Sequence, residues 1–146
     1  MLKYLRTSGM SERTHVVSDF PVWSGIVFGI LPLPVHLFLS AELSHQLAAI
    51  TLVLIAGVYV GYAFKDGRIH SILIELPTAL VFSAAAWLGM NGHPDFILAA
   101  LALHGLWDLL HHRLIDTEMP RWYIPFCAVV DWVMAASLFM IWNFAL

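Results

Sequence analysis

Charge is what this sequence has least of: Asp, Glu, Lys and Arg make up 12% of its 146 residues, about half the share usual in a soluble domain. Apolar residues fill the space, at 60% of the chain and a mean hydropathy of +0.81. A water-soluble fold has too little polar surface here to cover so much apolar surface, so the composition defines an integral membrane protein. Cysteine is nearly absent as well. The single Cys127 excludes an internal disulfide and leaves the redox compartment open. No internal repeat or low-complexity tract is visible, which argues against an inverted-repeat transporter built within one chain. The formal net charge of -3 is too small to recruit nucleic acid or any other highly charged partner.

What is there instead is a series of apolar stretches separated by short polar turns. Residues 1–19 read as a polar lead-in with Lys3, Arg6 and Arg13, not as a signal peptide, because they hold no apolar core bounded by a basic stretch and a small-residue cleavage site. Ser18 and Asp19 are placed to cap the first helix, with Pro21 in its first turn. Spans are predicted over 22–39, 43–64, 69–90, 96–113 and 122–145, each near the ~20 residues that cross a bilayer. Pro32 and Pro34 should kink the first. Lys65-Asp66-Gly67-Arg68 and Asn91-Gly92-His93-Pro94-Asp95 read as turns. The expected fold is an all-α bundle of five transmembrane helices in a single domain.

Five spans put the two ends on opposite sides, and the positive-inside rule tests that count independently of hydropathy. All seven Lys and Arg (Lys3, Arg6, Arg13, Lys65, Arg68, Arg113, Arg121) fall in the lead-in, the second-to-third turn or the fourth-to-fifth connection with its helix-end flank. The expectation is therefore a multi-pass protein of the cytoplasmic membrane, N-terminus inside and C-terminus outside.

The chemistry gathers in His104-Gly-Leu-Trp-Asp-Leu-Leu-His-His-Arg113. At about 100° per residue, Asp108 and His111 lie within about 40° of His104 on one helix face, and His112 is turned about 80° from it. With each span centred in the bilayer, Glu75, Asp108 and Asp131 fall roughly 5 to 7 Å to the cytoplasmic side of the midplane, on one level shared by Tyr59. Ionisable groups at that depth are costly and mark a functional site.

Three chemistries could need this set. A divalent metal such as zinc would take His104, Asp108 and His111, completed by Asp131 or Glu75, with His112 a weaker ligand, and keep a position open for water. A metal-free site would use Asp108 and His111 as the acid/base pair, with Glu75 or Asp131 kept protonated by burial as the proton donor and Trp107 and Trp132 flanking a carbocation or flat lipid ring. A proton relay would string the same residues into a chain. The structural alternative is interhelical hydrogen-bonded glue. His112 and Arg113 also fit a helix's last turn, where cations complement the dipole. His36, His45 and His93 fall near the outer face with Glu42 and Asp95, where histidines are common without a metal. A di-iron oxygenase is disfavoured because paired histidine boxes are not repeated.

The run His104-x-x-Trp107-Asp108-x-x-His111-His112, followed by Cys127-Ala-Val-Val-Asp131, resembles an uncharacterised family of small integral membrane proteins, a domain of unknown function. The likeness covers roughly the last 50 residues. It implies a membrane location and a site around His104, Asp108, His111, His112 and Asp131, but no activity. The family pattern places a second Cys before the Asp and a Pro after it, where this chain has Val130 and Trp132. In architecture alone the chain is also similar to small five-helix membrane enzymes of the sterol-isomerase type, with their His-x-x-x-carboxylate pair and Trp.

The sequence thus points to a membrane-embedded enzyme on a lipid-like or apolar substrate, working by metal-assisted hydrolysis or by acid/base chemistry, with membrane lipid as neighbour and a homo-oligomer compatible with it. A small proton-coupled carrier or channel is the alternative, and a membrane scaffold the third reading.

Overall fold

In a computed structural model describing residues 19–146, every regular element among the described residues is α-helical. The first expected span is two helices, α1 (Phe20–Ile30) and α2 (Leu33–Phe38). Pro32 and Pro34 have no N–H to give the carbonyls of Phe28 and Ile30, so the rod breaks at Leu31 and Pro32 instead of merely kinking. Asp19 occupies the N-cap of α1 but makes no side-chain cap hydrogen bond. Its backbone is helical (φ -71°, ψ -3°), whereas a capping side chain needs the extended conformation to reach back. Ser18, Lys3, Arg6 and Arg13 lie outside the described residues.

The remaining helices are α3 (Ala41–Asp66), α4 (Ile69–Met90), α5 (Asp95–Leu114) and α6 (Tyr123–Phe144), whose bounds match the expected spans to within two residues. Ser40, extended, accepts the Leu43 N–H at 3.4 Å. Gly67 closes α3 at φ +74°, the left-handed conformation that glycine adopts without strain. Asp66 ties the turn by accepting from Arg68 Nε at 2.8 Å and Ser71 Oγ at 2.6 Å. The Arg68 guanidinium also donates to the Asp116 carbonyl, joining the α3–α4 turn to the α5–α6 connection. Neighbouring contacts run α3 on α4, α4 on α5, α5 on α6 and α1 on α6.

Four helical stretches are long and apolar enough to cross a membrane: Phe20–Phe38, Ala41–Asp66, Ile69–Met90 and Tyr123–Phe144. Helix α5 has 20 residues but is less apolar, and the reason is visible in which face it buries. His104, Asp108 and His111 are turned inward with 0–1% exposure, while Leu103, Leu106, Leu109, Leu110 and Leu114 face out. This is the reverse of a helix on a water-soluble core, which buries its apolar face.

Small residues set the closest approaches. A Cβ at Gly25 would sit 2.7 Å from the Phe126 carbonyl oxygen, and one at Gly29 would sit 2.9 Å from Val133 Cβ. The Gly25-x-x-x-Gly29 stripe therefore lets α1 press directly on α6. Gly105 plays the same part for α5 on α6, where a Cβ would meet the Trp132 indole at 2.7 Å. Replacing Gly29 by Leu should lower stability by about 1–3 kcal/mol through overpacking. Gly57→Ala, which meets nothing within 4 Å, should leave stability unchanged or raise it slightly; denaturant unfolding in detergent reads both.

Candidate active site

The stripe on α5 is the scaffold of the site, because i, i+4, i+7 spacing aims three side chains at the seam with α3, α4 and α6. His104 Nδ1 lies 2.8 Å from Asp131 Oδ2 on α6 and 3.6 Å from Asp108 Oδ1 one turn along its own helix. Tyr59 on α3 donates its hydroxyl to Asp108 Oδ1 at 2.5 Å. One turn further, His111 Nε2 pairs with Glu75 Oε1 on α4, and Thr117 from the α5–α6 connection donates to the same oxygen at 3.2 Å. The Tyr59 ring lies between the two histidines, at 5.5 Å from His104 and 5.1 Å from His111. Tyr59, Glu75, His104, Asp108, His111, Thr117 and Asp131 are each buried to 1% exposure or less.

The residues singled out in the sequence thus meet, but in a different grouping. His104, Asp108 and Asp131 bring one ligand atom each within 4.8 Å of one another, and they are the group among the described residues that could hold a metal ion. His111 is drawn instead to Glu75, whose carboxylate reaches it from α4. The His112 side chain lies outside the described residues. Trp107 stands 6.4 Å from His111 ring to ring. Trp132 does not flank the site: its indole N–H donates to the Ala102 carbonyl at 3.1 Å and the ring is 41% exposed, since residue 132 falls about 100° round α6 from Asp131.

Tyr59 and Thr117 were not among the expected site residues. The sequence places Tyr59 on the level of Glu75 without a role, and that shared level is the signal by which it could have been found. Thr117 could not, because the irregular segment that carries it leaves no periodicity to read, and Asp116 there adopts φ +53°.

At the opposite end His36 is buried and its Nδ1 lies 2.8 Å from Ser44 Oγ, which also accepts the Trp142 indole N–H at 2.8 Å. His45 packs edge-on against Trp142 at 4.5 Å. These histidines knit α2, α3 and α6 together. An apolar layer of Ala49, Leu52, Leu101 and Leu138, all fully buried, belongs to the core between the two polar groups.

Fold and site together define a class: an all-helical protein with membrane-length apolar helices and a buried group of histidines and carboxylates. The family of unknown function DUF6010 matches residues 20–143, and the chain belongs to it. The match takes in α1 to α6 almost entirely, well beyond the last two helices that carried the resemblance in the sequence. No curated protein and no solved structure matches the chain.

Proposed function

We propose that this protein is a multi-pass enzyme of the cytoplasmic membrane, one five-span domain acting on an apolar, lipid-like substrate at the buried site. His104, Asp108 and Asp131 hold a divalent metal such as zinc, and the Glu75–His111 pair serves as acid and base. The observation that carries this is the clustering of His104, Asp108 and Asp131 around one point, all at 0–1% exposure. Charge balance supports it. A neutral His104, two aspartates and one divalent cation sum to zero, which is what a site inside a bilayer requires. When bound, the metal would polarise a substrate carbonyl and lower the pKa of a water. Tyr59, donating to Asp108, fixes that carboxylate's orientation, and Thr117 does the same for Glu75.

A metal-free acid/base enzyme is the second reading, supported by the fact that each carboxylate already has a donor of its own in Tyr59, His104 or His111. Metal analysis of the purified protein separates the two: about one equivalent supports the first reading, and none supports the second. The apolar layer between the two polar ends favours a dead-end pocket over a carrier or channel path.

The five-span count is supported by α5, which runs back beside α4 and α6 with leucines outward. The described Arg68 and Arg121 lie in the two connections tied by the Arg68–Asp116 hydrogen bond, and Lys65 and Arg113 lie in the last turns of the helices that lead into them. In a Cys127→Ala background, single cysteines near Lys65 and Arg121 should label only from the cytoplasmic side, and those near Glu42, His93 and Leu146 only from the other. Labelling of Arg121 and His93 positions from one side would remove the fifth crossing.

A further inference from the structure

A cavity of about 300 Å³ lies between α1, α3 and α6, its walls including Phe28, Leu54, Val58, Val130 and Met134, and its lining reaches Asp131. Phe28, Leu54 and Val58 are 57%, 66% and 41% exposed, so the mouth opens sideways between helices and not at an end of the bundle. On α6 the lining runs from Tyr123 to Met134, roughly 17 Å along the axis. The volume is at the small end for ligand sites, and the shape is long and narrow. It fits one extended hydrocarbon chain.

Its polar features are acceptors. Asp131 gives Oδ2 to His104, and its buried Oδ1 has no hydrogen-bond partner. Pro32, also in the lining, has no N–H for the carbonyl of Phe28. Of the side-chain donors in the lining, Thr51 Oγ is already engaged, donating to the Leu47 carbonyl at 2.9 Å. An anionic headgroup would carry a full charge into the bilayer interior and meet an acceptor, not a donor, at Asp131. An ammonium would carry a full charge into the bilayer interior at a cost of several kcal/mol. A neutral O–H or N–H meets neither obstacle and satisfies an acceptor that otherwise stays unpaired.

We infer that this groove is the substrate channel of the buried site and takes a neutral single-chain lipid from the bilayer, its polar end donating a hydrogen bond to Asp131. The inference rests on the proposed intramembrane site but not on its metal or its reaction. It names the substrate class: a single-chain lipid with an uncharged hydroxyl or amide N–H at its polar end.

The test uses the full-length protein in lipid nanodiscs and three photoactivatable probes with the same diazirine-bearing chain: a primary alcohol, the fatty acid, and a trimethylammonium. The alcohol should crosslink to peptides carrying Leu54–Val58 and Val130–Met134 about tenfold more than the other two, the factor expected from one buried hydrogen bond. Leu54→Trp, at the mouth, should cut that labelling several-fold. Leu73→Trp, on the lipid-facing side of α4, should not. Crosslinking spread evenly over lipid-facing positions, or equal for all three probes, would overturn the inference. Because crosslinking needs no turnover, a metal-free protein that still selects the alcohol would leave the groove standing and remove only the metal reading, whereas a metal-loaded protein that labels evenly would do the reverse.

Discussion

Replacing His104 or Asp131 with alanine should abolish stoichiometric metal binding, while His111→Ala should keep the metal and lose the activity. Helical periodicity alone would put His104, Asp108 and His111 in one ligand set, because they share a face of α5. The structure separates them: Asp131 lies 2.8 Å from His104, and His111 is turned to Glu75. Losing one of three protein ligands should weaken binding more than about 100-fold, since even outer-shell partners of a metal site contribute 10–100-fold. His111→Ala should change it by no more than about tenfold. Tyr59→Phe is the graded case, expected to weaken binding about tenfold by freeing the Asp108 carboxylate to rotate. Elemental analysis and zinc titration of each purified variant read the outcome. A wild type without metal, or a His111→Ala protein that loses it as completely as His104→Ala, would dismantle the ligand assignment.

Much of the fold was legible because long apolar stretches bounded by turn residues leave few alternatives to helices. Hydropathy and turn residues placed α3 to α6 to within two residues. The break in the first span was half legible: Pro32 and Pro34 announced a disturbance, but whether a helix bends or stops depends on whether neighbours pack against both halves. Which polar residues come together was legible in the sequence. Their pairing was illegible, because periodicity fixes which way α5 points and says nothing about how α4 and α6 are rotated to meet it. The rotation is set by contacts such as Gly105 against Trp132 and Ala128, which only a structure supplies. The same contact turned Trp132 away from the site.

The second large effect concerns the Glu75–His111 pair as a unit. Both side chains have 0% exposure, and they join α4 to α5 one turn from the metal-ligand group. Removing one partner of a buried pair leaves the other's polar group or charge without compensation and typically costs about 1–5 kcal/mol. Glu75→Leu should therefore destabilise the protein by about that amount, with Thr117 losing its acceptor in addition. Removing both charges takes away the attraction and the desolvation cost together, and apolar replacement of a buried pair is often neutral or stabilising. Glu75→Leu/His111→Leu should thus recover most of the lost stability, keep the metal held by His104, Asp108 and Asp131, and have no activity. Stability in detergent, metal content and turnover, measured on the single and double variants, separate a catalytic pair from interhelical glue. Glue would predict a double variant that is stable and still active. A double variant no more stable than Glu75→Leu would mean that the two side chains are not energetically coupled, and the acid–base assignment of His111 would fall with that coupling.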